Sequence, residues 1–212
     1  MESSGLLERI SERALLAGVS LTPAVAIELQ SYYDLLTRWN RTINLTAMGL
    51  EPVSDQAIDR LLIEPLTAGE LIMHATTWFD LGSGGGSPAI PLKLAHPCVT
   101  LVMVESKERK AAFLKEATRV LKLEHTTVET DRIETVAAHH TMAGSVDVIS
   151  VRAVRIDPIL FRSVRALLRP RGKLVLFGAK EADLAIPPDF QVAPSSTSGR
   201  YPEPVALSWT GL

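Results

Sequence analysis

The stretch Thr77-Trp78-Phe79-Asp80-Leu81-Gly82-Ser83-Gly84-Gly85-Gly86-Ser87-Pro88 decides the fold. Strand-forming residues from Thr77 to Leu81 give way at once to four glycines, and Pro88 to Leu94 then reads as the opening of a helix. Glycines let a backbone turn tightly and approach a ligand with no Cβ in the way. The first turn of the following helix carries N–H groups without partners. A strand, a glycine turn and a helix in this order predict a nucleotide-like ligand at the carboxyl end of the first strand of a doubly wound sheet.

The spacing narrows the ligand. Glycines at 82, 84 and 86 follow G-x-G-x-G, whereas the dinucleotide fingerprint requires its third glycine at position 87, which is Ser87. No lysine lies between Gly84 and Pro91, which argues against a P-loop. Asp80 stands two places before the first glycine, and Glu105 follows the next apolar run, 19 residues after Gly86. An acid there accepts hydrogen bonds from ribose hydroxyls. Leading acid, glycine spacing and trailing acid together favour S-adenosylmethionine over a nicotinamide dinucleotide, with Asp80, Gly84, Gly86 and Glu105 as contacts. The plain alternative is a simple turn in which Asp80 caps the helix.

Working outward, the downstream chain alternates strands and helices. Strands are expected at Thr100–Val104, Thr127–Glu129, Val146–Val151 and Lys173–Phe177, and helices at Lys107–Leu121 and Pro158–Leu168. Phe190–Val192 and Val205–Trp209, joined through the serine-rich Pro194–Gly199, form a closing antiparallel hairpin. Such alternation predicts a mostly parallel sheet with helices on both faces. Upstream the pattern is helical. Thr22-Pro23 is a capping signal, followed by an apolar stripe of Val25, Leu29, Tyr32, Leu36 and Trp39. Leu6–Leu16 and the set Ile58, Leu61, Leu62 and Leu66 suggest two more helices. The expected fold is therefore α/β, a class I S-adenosylmethionine-dependent methyltransferase. It has a Rossmann-like seven-stranded sheet over residues 71–212, with a helical extension over residues 1–70.

Composition bounds the partners. The chain has 212 residues and a formal net charge of −2, so no global positive field announces nucleic acid. Its single cysteine, Cys98, cannot form an intramolecular disulfide and fits a reducing, cytoplasmic compartment. No signal-peptide pattern opens the chain, and no window approaches the roughly 20 apolar residues of a membrane span. The histidines, including His139-His140, lack ligand spacing with cysteine or acids, so no metal site is expected. A monomer is the default expectation.

Five segments resemble the ribosomal small subunit methyltransferase G family, also called glucose-inhibited division protein B, over nearly the whole chain. They are Trp39-Asn40-Arg41 with Asn44-Leu45-Thr46-Ala47, and the loop Asp80–Leu92. The others are Glu105-Ser106 with Lys110 and Ala112-Phe113-Leu114, Arg132-Ile133-Glu134, and Asp147-Val148-Ile149-Ser150 with Arg152-Ala153. The resemblance implies methylation of a guanine N7 in small-subunit (16S) ribosomal RNA, free or in an assembling subunit. It adds Gly82, Ser87, Ile133, Glu134 and Arg152 as cofactor contacts.

On the acceptor side, Asn44, Thr46, Arg60 and Lys180 are candidates for contacting substrate, and Arg152 and Glu64 are candidates for a catalytic role. Glu64 would offset positive charge developing on the purine, or else be a solvated helix residue. The chain departs from the family pattern on this side. Leu61, Glu64 and Pro65 replace the usual His, Asp and Ser, Gly178 replaces a lysine, and Val151 is an extra residue. A methyltransferase with another acceptor, or a cofactor-binding protein without turnover, are the alternative readings.

Basic residues form two runs. Lys107, Arg109, Lys110, Lys115, Arg119 and Lys122 lie on one helix. Arg155, Arg162, Arg165, Arg169, Arg171 and Lys173 follow Arg152 with only Asp157 among them. Either run suits an RNA backbone, and Arg162 and Arg165 are the expected RNA face of the second.

Overall fold

The computed structural model describes residues 2–139, 141–194 and 201–211. Most of the expected Pro194–Gly199 turn and His140 of the histidine pair lie outside the described residues.

Helices α1 (Glu2–Leu16) and α2 (Pro23–Asn40) come first. As the sequence suggests, Thr22 Oγ1 accepts from the Val25 N–H and Pro23 occupies the first turn. A second helical stretch follows: α3 (Asp55–Ile58), a π-helical turn (Asp59–Ile63) and α4 (Glu64–Thr67). Arg9 pairs with Asp55 and Arg13 with Asp59, tying α1 to this stretch.

The sheet contains β1 (Thr77–Leu81), β2 (Thr100–Val104), β3 (Thr126–Glu129), β4 (Val146–Arg152), β5 (Leu168–Phe177), β6 (Phe190–Val192) and β7 (Val205–Trp209). Its order is β3-β2-β1-β4-β5-β7-β6. The first five strands are parallel, and β7 runs antiparallel to both β5 and β6. Between the strands lie α5 (Ala89–Ala95), α6 (Glu108–Val120), α7 (Ile133–His139) and α8 (Pro158–Leu167).

The period of two along each strand sends alternate side chains to opposite faces. Trp78, Leu101, Met103, Val148 and Val175 face a core shared with α1, α2, α5 and α6. Phe79, Val102, Ile149 and Leu174 face α7 and α8. Both faces are covered, which is why the parallel strands read as continuous apolar runs.

Two elements differ from expectation. Helix α7 was not anticipated: it is short, and within Ile133–His139 only Val136 and Ala137 are buried, so its apolar periodicity is too brief to stand out. Strand β5 begins at Leu168, five residues before Lys173, because Leu168 pairs with Val146 across a register shift. Arg171 at φ +65° accommodates that irregularity.

Candidate cofactor and acceptor site

The glycine turn leaves β1 where strand order reverses, with β2 on one side and β4 on the other. In an open α/β sheet that point leaves a crevice outside the carboxyl ends of the strands. Gly82, Gly84 and Gly86 adopt φ of +76°, +53° and +88°, a region that costs other residues energy. A Cβ on Gly82 would lie 2.5 Å from Val154 Cγ2, and one on Gly86 2.5 Å from Ile90 Cδ1. Side chains are excluded at both positions by conformation and by space.

Glu105 holds the turn from the next strand. Its Oε2 accepts from the Gly84 N–H at 3.0 Å and its Oε1 from the Lys107 N–H at 2.8 Å. A carboxylate has about four lone-pair positions, so acceptor capacity remains for a ligand hydroxyl. Glu105, Gly82, Ile133 and Glu134 line one cleft of about 600 Å³, within the size range of a small-molecule site. These four cofactor candidates from the sequence thus come together.

Asp80 lies beneath the turn and is 1% exposed. It accepts a 2.5 Å hydrogen bond from Ser150 Oγ, which in turn accepts from Trp78 Nε1 at 2.8 Å. Burial pushes its carboxyl up to about 6, opposed by the Ser150 hydrogen bond and by the Arg152 charge. A buried carboxylate beneath the turn, its pKa raised by burial but still largely ionised at neutral pH, suits a site that receives a cation.

The helical extension supports the other side of the turn. Tyr32, fully buried on α2, donates from its hydroxyl to the Gly85 carbonyl at 2.7 Å. A Cβ on Gly85 would lie 3.1 Å from the Leu45 carbonyl oxygen. The segment carrying Leu45 is itself braced by Asn40, whose Oδ1 accepts from the N–H groups of Leu45 and Thr46. Asn44 is exposed and Thr46 half-buried on this segment.

Pro65 explains the next contact. The Leu61 carbonyl would normally accept from the N–H four residues on, which Pro65 lacks. Ser87 Oγ donates to that carbonyl instead, at 2.8 Å. The widened turn sends the Glu64 N–H to Asp59, so the Arg60 carbonyl also loses its α-helical donor and accepts from Arg152 Nη1 at 2.8 Å. Arg152 Nη1 also donates to Ser87 Oγ at 2.8 Å.

Glu64 is neither solvated nor open to a substrate. It is 2% exposed, and Arg60 Nη1 reaches both its oxygens at 2.5 and 2.6 Å while Arg152 Nη2 reaches Oε1 at 2.8 Å. With its oxygens engaged by two guanidiniums, it cannot serve as the expected partner of a charged purine. Arg152 stacks over the Phe177 ring at 5.2 Å. Burial lowers its pKa, partly offset by Glu64. Ser87 and Arg152, expected at the cofactor, spend their side chains joining the glycine turn to the extension. Lys180 is exposed beyond β5, and Gly178 before it faces Arg60: a Cβ there would lie 2.8 Å from Arg60 Nη2.

The second basic run is not a continuous free face. Arg165 pairs with Asp189, Arg169 with Asp147, Arg155 with Asp157 and Arg152 with Glu64. Three of those acids lie outside the run, and folding brings them in. Arg162 and Arg171 carry no ion pair among the described residues.

Residues 26–186 match the family described as rRNA small subunit methyltransferase G (GidB). The chain belongs to this family. It is 32% identical over 179 residues to the ribosomal RNA small subunit methyltransferase G of Syntrophotalea carbinolica, covering 84% of this chain and 81% of that one. It is 37% identical over 162 residues to the protein of that name from Stenotrophomonas maltophilia, covering 76% and 72%. Among solved structures, a putative O-methyltransferase from Klebsiella pneumoniae superimposes with a TM-score of 0.61 at 13% identity, covering 100% of both chains. A SAM-dependent methyltransferase from Aquifex aeolicus gives 0.55 at 15% identity, covering 72% of this chain and 93% of that one. These likenesses show a class I methyltransferase fold.

Tyr32, Ser150, Val154 and Phe177 help to form the site without being marked for that role in the sequence. Tyr32 appeared only as one member of an apolar stripe. A tyrosine deep in such a stripe needs a buried acceptor, and that was the available signal. Val154 and Phe177 carry no chemical marker in the sequence; only the meeting of strand ends places them.

Proposed function

We propose that this chain transfers a methyl group from S-adenosylmethionine to N7 of a guanine in small-subunit ribosomal RNA. The observation that carries the reading is the glycine turn folded around the Glu105 carboxylate at the switch point of the sheet, in a member of a family of rRNA methyltransferases. Asp80, Gly82, Gly84, Gly86, Glu105, Ile133 and Glu134 hold the cofactor. Ser87 contributes through its main chain, and Arg152 by fixing the turn. Asn44, Thr46, Arg60 and Lys180 lie on the acceptor side.

Bound there, S-adenosylmethionine supplies a methyl group activated by its sulfonium. Guanine N7 has a free lone pair and no proton at neutral pH, so no general base is required. What the protein does is align donor and acceptor, an effect worth about 7–11 kcal/mol in favourable systems. The absence of a free carboxylate at Glu64 agrees with a site that positions groups and moves no proton.

The test is transfer of labelled methyl groups to ribosomal RNA lacking the modification, free and in small subunits, with the product base identified. Label in 7-methylguanine at one site supports the reading. No label, in protein that still binds S-adenosylhomocysteine, would sink it and point to another acceptor.

A further inference from the structure

Arg60 is anchored at two points and approaches a third element closely. Its main-chain carbonyl is held by Arg152 Nη1, its Nη1 by Glu64, and its Nη2 lies over Gly178. Gly178 has φ +76°, so conformation and space both keep a side chain away from that guanidinium. The anchoring acid is buried, yet the Arg60 side chain is 38% exposed. Its Nε and Nη2 have no hydrogen-bond acceptor among the described residues. Two guanidiniums share one carboxylate, which leaves one positive charge in excess. Arg152 is the inner partner, at 11% exposure, so the excess is presented by Arg60. Gly178 also borders a cleft of about 690 Å³ with Val154, Phe161 and Lys180, and Val154 is the residue that touches Gly82 of the cofactor turn.

A partly exposed guanidinium anchored through Nη1, with donors left over at Nε and Nη2, suits a planar pair of anionic oxygens, and the anchor reduces the side-chain freedom left to lose on binding. We propose that Arg60 binds a backbone phosphate of the acceptor RNA strand, that Glu64 is the residue positioning it, and that Gly178 keeps the space open. This rests on the rRNA methyltransferase reading and deepens it. The candidate face for RNA thereby moves from the arginines of α8 to the carboxyl ends of β4 and β5.

The experiment is steady-state methyl transfer to small-subunit RNA at several salt concentrations, with calorimetric titration of S-adenosylhomocysteine in parallel. Arg60→Ala leaves Glu64 paired with Arg152, so the fold has no unpaired buried charge. Its KM for RNA should rise about tenfold, as for a lost charge-assisted hydrogen bond, with kcat and the S-adenosylhomocysteine affinity within twofold of the parent. The log–log salt slope of RNA binding should become shallower by about one. Arg60→Lys should recover only part of the loss. Glu64→Gln should raise the KM for RNA as Arg60→Ala does and, because it also leaves the buried Arg152 without its counter-charge, weaken S-adenosylhomocysteine binding; Glu64→Asp should restore much of both. Unchanged KM and salt slope in Arg60→Ala would overturn the assignment. A weakened S-adenosylhomocysteine affinity with an unchanged KM for RNA would also overturn it, placing the cofactor carboxylate at Arg60. If the parent transfers no methyl group to RNA, the functional reading fails, and filter binding of the same RNA decides the phosphate contact: equal binding by parent and Arg60→Ala overturns it.

Discussion

The Tyr32 hydroxyl on α2 and the Gly85 carbonyl in the glycine turn, 53 residues apart in the chain, meet in a 2.7 Å hydrogen bond. Burial pushes the Tyr32 phenol above its usual range, so it remains a donor at every pH of interest. Tyr32→Phe leaves the carbonyl without that donor, at a cost of about 1–3 kcal/mol. We expect a Tm several degrees lower and several-fold weaker binding of S-adenosylhomocysteine by calorimetry. Unchanged affinity would show that the turn holds its shape without α2.

Asp80 gives the cofactor-free protein a pH signature. Its carboxyl titrates at about 6 against an ordinary 3.8. Between roughly pH 4 and 6 the folded chain therefore binds more proton than the unfolded chain, and stability falls as pH rises through that window. The full effect is about 3 kcal/mol. Asp80→Asn should abolish the slope and raise the Tm at pH 7 while weakening cofactor binding. Denaturant titrations of parent and Asp80→Asn at pH 4, 5, 6 and 7 check the sign; the same slope in both would contradict it.

Glu105 supports two main-chain N–H groups as well as any ligand. Glu105→Ala should lower S-adenosylhomocysteine affinity by at least about tenfold, since the turn's anchor and the proposed ribose acceptor are lost together. The far-ultraviolet circular dichroism should be unchanged. Full affinity in calorimetry would remove Glu105 from the site.

Pro65 frees the Leu61 carbonyl for Ser87, and the widened turn just before it frees the Arg60 carbonyl for Arg152. Pro65→Ala supplies the missing N–H and favours a regular α-helix. The Leu61 carbonyl can then be satisfied within the helix, and Ser87 and Arg152 lose part of their anchorage. The expected pairing is a higher Tm with a lower kcat/KM, measured on one preparation. A variant with parental kcat/KM would show that the anchorage has no functional weight.

Arg165 and Asp189 join α8 to the C-terminal hairpin. The Arg165 guanidinium holds the Asp189 carboxyl down at about 2. The pair's stabilisation is present above about pH 4 and is lost as pH falls toward 2. Asp189→Asn should therefore lower the Tm at pH 7, modestly because the pair is partly exposed, and have no effect near pH 2. Reversing the charge at Arg165 should reduce the Tm before it alters RNA affinity.

How much was legible in advance depends on the range of the interaction. The Thr77–Leu81 strand, the glycine turn and Glu105 were readable because their chemistry is local: backbone turn, helix start and strand end lie within about thirty residues. The bulge in β5 and helix α7 were not, because pairing with β4 and packing on α8 outweigh weak local signals.

Sequence alone determined the class of fold, the order of its strands, most of its helices, the position of the cofactor turn and the family. Those follow from periodicity, glycine placement and motif spacing, which are written along the chain. Tertiary structure alone decided what the acceptor-side residues do. Glu64 proved to be an anchor for two arginines, Ser87 a donor to a proline-freed carbonyl, and the arginines of the second basic run largely ion-paired. The physical reason is that a charge or a hydroxyl has no role until its partner is in place, and here most of the deciding partners come from elements 22 to 88 positions away.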